Sequence, residues 1–236
     1  MRERFSRIED GQEVQIEVFL DAKSKMEFYP WILSVFIKYD TANASEESLR
    51  EFFDVREILI DAIEFNEEAV YVGNRIVGEW SEVYFYAQDS KGLESSVNDI
   101  LRPTGYIYET SVVKDAEWEF FTHNIFPTDF ELCIMQSQKI IEYLQDEGDT
   151  LGAVREVEHY VSFPTPTQKE RFISKIESIG FKYKDDINDD EIPNGIAVVK
   201  EHKVTIDELE KIIQPLFELI ESEGGEYELW STTLVE

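Results

Sequence analysis

Two α+β domains in tandem, each an antiparallel sheet with helices packed on one face, are predicted by three features of this 236-residue chain. Short β-branched and aromatic runs alternate, apolar residues between them recur at helical spacing, and the same element order is met twice. The length suffices for two ordinary cores, and 42 % hydrophobic with 13 % aromatic residues is too apolar for intrinsic disorder.

In the first half, residues 14–20 alternate and residues 31–39, WILSVFIKY, are β-branched and aromatic, which predicts a pair of strands. After Asn43 an acidic opening and the set Leu49, Phe52, Phe53, Leu59, Ile60 and Ile63 predict a long helix, irregular near Val55. Residues 69–77 and 80–87 read as a hairpin about Gly78. Asp89 is placed to cap a helix ending at Leu101, and residues 106–113 return as a strand.

The second half is better punctuated. Thr128 and Glu131 form an S/T-x-x-E capping box at the start of a helix over residues 129–147, and residues 158–163 follow as a strand. Thr165, Pro166 and Gln168 open a helix that buries Phe172, Ile173, Ile176 and Ile179 and exits through Gly180. Residues 181–185 and 195–200 are the central strands. Thr205 and Glu208 predict another capping box, ahead of Leu209, Ile212, Ile213, Leu216 and Ile220 at helical spacing, with a kink at Pro215. Gly224 and Gly225 end that helix before a last strand over residues 227–232. Each half therefore reads β-α-β-β-α-β, the first with an extra leading strand. That order gives two ferredoxin-like domains, 1–127 and 128–236, each with a four-stranded or slightly larger antiparallel sheet.

Charge narrows the partners. With 51 acidic and 22 basic residues the net charge is −29, and it is spread evenly: residues 1–127 carry 12 basic against 26 acidic residues, net −14, and the remainder 10 against 25, net −15. Such a surface repels phosphate backbones and anionic lipid, so direct nucleic-acid or membrane binding is not expected, whereas a basic protein is attracted. Solubility is the plainer reason for the same charge. The opening MRERFSRIEDGQEV has no apolar run that would make a secretory signal, and no segment approaches membrane-span length, so a cytoplasmic address is expected. Cys133 is the single cysteine, which excludes an internal disulfide or a thiolate zinc cage.

Residues 138–163, QKIIEYLQDEGDTLGAVREVEHYVSF, together with GGEYELWST at 224–232, resemble the matching ends of the B-type regulators of ribonuclease E, including the loop Glu147-Gly148-Asp149 and the pair Glu158-His159. Residues 31–127, with YVG at 71–73, VYFYA at 83–87 and WEFFTHNIFP at 118–127, are similar to the bacterial family called domain of unknown function 695. The resemblance implies a fused protein whose second domain binds and inhibits a ribonuclease; it implies no task for the first domain. The long acidic tail of some regulators does not follow Glu236.

Catalytic and metal chemistry finds little support. His123, His159 and His202 are separated along the chain, with no H-E-x-x-H spacing, and would form a metal site only if the fold gathered them. The run Asp185, Asp186, Asn188, Asp190 imitates a calcium loop, but Glu191 stands in place of its glycine and Ala197 in place of its bidentate glutamate. No nucleophile elbow or phosphate-binding glycine loop occurs, and no cofactor is expected.

Candidate partner-binding residues are therefore Asp185, Asp186, Asp189, Asp190 and Glu191, in a loop between central strands, and Glu228 and Trp230 on the last strand. A solvated loop is the bland meaning of the first group. In a strand of period two, Tyr227 and Leu229 face one side and Glu228 and Trp230 the other, so Trp230 is expected on the open face of the sheet, free for a ligand or packed on another domain or subunit. The leading expectation is a non-enzymatic, acidic protein-binding regulator of a basic partner, a ribonuclease by resemblance. Its alternatives are a small-ligand or enzymatic module with a site between the domains, and a homo-oligomeric scaffold.

Overall fold

A computed structural model of the chain describes residues 2–187 and 192–235. Contacts divide it into two compact units, Met1–Pro127 and Thr128–Glu236.

The first unit is built on a six-stranded sheet in the order β1-β2-β4-β5-β3-β6, every neighbouring pair antiparallel. The strands are β1 (Arg2–Glu9), β2 (Gln12–Phe19), β3 (Trp31–Lys38), β4 (Ala69–Val77), β5 (Trp80–Ala87) and β6 (Ile107–Lys114). Sequence reasoning missed β1. Asp10 and Gly11 both adopt positive φ, 49° and 80°, which is the two-residue turn that closes β1 onto β2. Helix α1 (Glu46–Glu64) is capped by Ser45, whose hydroxyl accepts from the Ser48 N–H, and α2 spans Leu93–Leu101. Asp89 does not cap α2. It accepts instead from the Lys91 N–H, and Gly92 leads into the helix.

Helices on one face only is a correction for this unit. Helices α1 and α2 bury Phe52, Leu59, Ile60, Val97 and Leu101 against Leu33, Val35, Val83 and Phe85. The reverse face has its own core, in which Val14, Ile16, Val70, Val72, Tyr84 and Tyr86 meet Trp118, Phe121 and Ile125. Trp118 stacks on Tyr86 with ring centres 3.9 Å apart and donates its indole N–H to the Tyr29 carbonyl at 2.8 Å. The physical reason lies in VYFYA: successive apolar residues on one strand put side chains on both faces, so both must be covered. Gly73 sits at a bulge between β4 and β5 with φ of 155°, where a Cβ would lie 2.4 Å from the Glu17 carbonyl.

The second unit has a four-stranded antiparallel sheet in the order β10-β7-β9-β8, made of β7 (Arg155–Ser162), β8 (Lys182–Ile187), β9 (Gly195–His202) and β10 (Glu226–Thr232). Helices α3 (Asp129–Asp146), α4 (Pro166–Ile173) and α5 (Ile206–Ser222) pack on one face. The Thr128–Glu131 capping box forms in full. Thr205 stands at the start of α5 without a side-chain cap bond, so the second predicted box does not form. Helix α4 stops at Ile173, and a separate 3-10 turn, Ile176–Ile179, ends at Gly180 with φ of 81°. Helix α5 continues through Pro215. At Gly225 a Cβ would meet the Phe163 ring at 2.5 Å, so only glycine lets β10 start there.

Candidate partner-binding face of the second unit

Strand period two sorts β7 cleanly. Val157, His159 and Val161 are buried toward the helices, while Glu156, Glu158 and Tyr160 point to the other face. Across this second face lie Ala197, Val199 and Glu201 of β9 and Leu229 and Ser231 of β10, in register with β7. The unit's own helices all pack opposite.

Lys184 organises the acidic part of this face. A bulge between Tyr183 and Asp185 frees it from the β8 ladder, and it reaches past β9 to donate to Glu158 at 2.6 Å and Glu156 at 3.0 Å on β7. Hydrogen bonds to Glu158 and then Glu156 hold its ammonium well above the usual lysine range. The pair of carboxylates thus already receives one cation, in a geometry open to solvent. Tyr160 shares a hydrogen bond with Ser231 at 2.7 Å, and Leu229 is 45 % exposed beside it.

The sequence-predicted residues do not form one cluster. Asp185 and Asp186 lie at the β8 edge, where Asp186 pairs with Lys169 at 3.0 Å, and this pairing holds its carboxyl below the usual range. Asp189, Asp190 and Glu191 lie outside the described residues. Glu228 is on β10 at the opposite edge, three strand spacings or about 14 Å away, and accepts a short hydrogen bond from the Ser162 hydroxyl.

Trp230 is a correction. It is 2 % exposed, packs with Cys133, Ile141, Leu209 and Ile213 under α3 and α5, and donates its indole N–H to Ser137 Oγ at 3.0 Å. The cause is a bulge at Glu228. Tyr227 pairs with Val161 and Leu229 with Tyr160, so one extra residue puts Tyr227 and Trp230 on the same helix-covered face and Leu229 on the open one. Strict alternation from Tyr227 gives the opposite answer.

The regulator-like motifs are mainly structural. Asp149 receives Arg155 through both carboxylate oxygens, at 2.6 and 2.7 Å, and also the Val235 N–H at 2.8 Å; the two side chains are 0 and 5 % exposed. That clamp ties the loop after α3 to the strand β7 and the chain end, and the Arg155 bonds keep the Asp149 carboxyl below its usual range. Glu223, at the end of α5, is held low in the same manner by Lys175 and Arg171.

The fold brings together two histidines that are 43 residues apart. His159 Nε2 and His202 Nε2 are 3.1 Å apart, His159 Nδ1 is 2.8 Å from the Tyr227 hydroxyl, and His202 Nδ1 is 2.7 Å from the Lys203 carbonyl. A carbonyl can only accept, so His202 carries its proton on Nδ1 and its Nε2 accepts from His159; His159 Nδ1 then accepts from Tyr227. One chain of three donations results, and it requires both rings to be neutral. Burial, then the neighbouring His202 and Lys200, holds His159 well below the usual imidazole value, and burial lowers His202 as well. Among the described residues, no three His, Cys, Asp or Glu side chains converge as a metal site would need. His123 stands apart in the first unit, with Nδ1 2.8 Å from the Glu119 carbonyl.

Among the described residues, no helix is long and apolar enough to cross a membrane. No curated protein is significantly similar to the chain. Residues 134–232 match the family model described as regulator of ribonuclease activity B. Residues 5–126, more than half of the chain, match a family of unknown function, DUF695, and the chain therefore belongs to that family and joins to it a domain of the ribonuclease-regulator type.

Proposed function

We propose that this chain is a non-enzymatic, cytoplasmic regulator that binds a basic segment of a ribonuclease through the face of its second sheet opposite that unit's own helices. Both units are read as ferredoxin-like, a reading supported by the β-α-β-β-α-β order and by the strand orders β6-β3-β5-β4 and β10-β7-β9-β8. The match of residues 134–232 to the regulator family carries the functional reading, and the chemistry of the face supports its location. Glu156 and Glu158 already receive an ammonium, Tyr160 and Leu229 supply apolar area beside them, and the −29 charge attracts a cationic partner while opposing direct RNA or membrane contact.

The partner's lysine or arginine would replace Lys184 on the two carboxylates, a contact whose contribution lies in specificity and association rate more than in area. The test is a titration of the full chain against purified ribonuclease E, read by fluorescence anisotropy and by RNA cleavage, for wild type and for E156K/E158K. Reversal of both charges is expected to weaken association by about tenfold or more at low salt, with a smaller difference at high salt. Undiminished affinity in the double variant would remove the face from the reading, and no binding by the wild-type chain at low salt would remove the ribonuclease.

A further inference from the structure

The two sheets expose four edge strands, and three of them are protected against pairing. β1 carries Arg2, Glu3, Arg4, Arg7 and Glu9 among its eight residues. β8 is bulged and carries Lys182, Lys184, Asp185 and Asp186, and β10 is bulged at Glu228. Charge along an edge and bulges within it are what keep sheets from adding foreign strands. β6 has neither. It pairs in unbroken register with β3, and between Ile107 and Val113 its single charge is Glu109.

Side chains on β6 favour an added strand as well. Tyr108 and Val112 turn toward α2 and the helix-side core, whereas Ile107 and Val113 on the other face are 66 and 55 % exposed. Val113 also borders a groove of about 530 Å³ lined by Ile32, Ser34, Phe120 and Asn124, which runs between β6 and the segment that covers the rest of this face. A strand laid along β6 would satisfy its free backbone groups and place alternate side chains against Ile107, Val113 and the groove.

Charge decides what that strand is. Glu94 of α2 lies over the middle of β6, 3.4 Å from Thr110, Glu109 projects from the opposite face, and Asp115 and Glu119 line the groove, where they outnumber Lys114. A second copy would bring together two units of net −14 and set Glu94 close to its own symmetry mate, since Thr110 is near the centre of the strand. We infer that the first unit binds an extended basic segment of a partner protein as a seventh strand along β6, with apolar residues alternating with lysine or arginine.

A fluorescein-labelled nonapeptide alternating valine and lysine is the probe, with the full chain titrated by anisotropy. The wild-type chain is expected to bind it, and I107K/V113K, which alters exposed residues only, is expected to bind about tenfold more weakly with unchanged thermal unfolding. A peptide N-methylated at alternate residues should fail to bind, and amide exchange over residues 107–114 should slow when the unmodified peptide is present. Any of four results overturns the inference: no binding by wild type, equal binding by I107K/V113K, equal binding of the methylated peptide, or a wild-type dimer that the double variant dissociates, which would give the edge to a second copy. E156K/E158K lies in the other unit and should leave this binding intact, so the two readings fail separately.

Discussion

Acidification from pH 7.5 to 5 tests the buried histidine chain directly. His159 and His202 are 0 and 3 % exposed, and the chain of donations from Tyr227 through both rings to the Lys203 carbonyl runs in that direction only when both are neutral. The groups facing them are Tyr227 from β10, Lys200 from β9, Glu208 from α5 and the Lys203 carbonyl; of these the carbonyl and then Glu208 favour a positive His202 ring, and burial outweighs them. Both folded values lie below the usual 6.5, so as the pH falls through about 6.5 the unfolded chain takes up protons that the folded chain refuses. Stability conferred by the pair is present above pH 6.5 and is lost on the acid side, down to the folded values. One group contributes a slope of up to about 1.4 kcal/mol per pH unit, and two independent groups up to about 2.7. Over the unit between pH 6 and 5 the His159 site, held well below 6.5, is therefore expected to lose on the order of 1 kcal/mol, and His202 adds to the loss with the same sign. Asp149 and Glu223 act with the same sign but in a lower window, since their depressed values leave stability intact until the pH falls through about 3.8 and 4.5 respectively. The assay is urea-dependent amide exchange by mass spectrometry, followed in peptides covering β7 and β9, which separates this unit from the other. H159F/H202L should flatten the slope between pH 6.5 and 5. A wild-type slope below about 0.5 kcal/mol per pH unit there, or an equal slope in the double variant, would refute the neutral-pair argument.

Two further predictions concern the same unit. W230A removes a fully packed indole and its bond to Ser137, and should cost about 3–5 kcal/mol in thermal or urea unfolding of residues 128–236; a surface-like cost under 1 kcal/mol would contradict the bulged register of β10. D149A leaves the Arg155 guanidinium buried without its carboxylate and should cost about 3–5 kcal/mol, seen as early exchange of the segment from Thr150 to Val235.

What was legible from residues alone was local and periodic. Helical spacing located α1, α3, α4 and α5, the Thr128–Glu131 box marked the start of α3, and Glu156, Glu158 and Tyr160 could have been read as one face from the alternation in REVEHYVS. The acidic balance, net −29, is a property of composition. Asp10-Gly11 was a legible hairpin signal that alternation in RERFSRIE supports.

The tertiary structure decided where those faces went. A single inserted residue at Glu228 changes the side on which Trp230 lies, because strand period is two and a one-residue shift reverses every later side chain. No local pattern announces that insertion. Likewise His159 and His202 meet only because β7 and β9 are paired in one register, and Lys184 reaches Glu156 and Glu158 only because the sheet sets β8, β9 and β7 side by side in that order. Chain propensities act over a few residues, whereas register and the covering of a second sheet face by Trp118 and Phe121 are set by what the whole unit must bury.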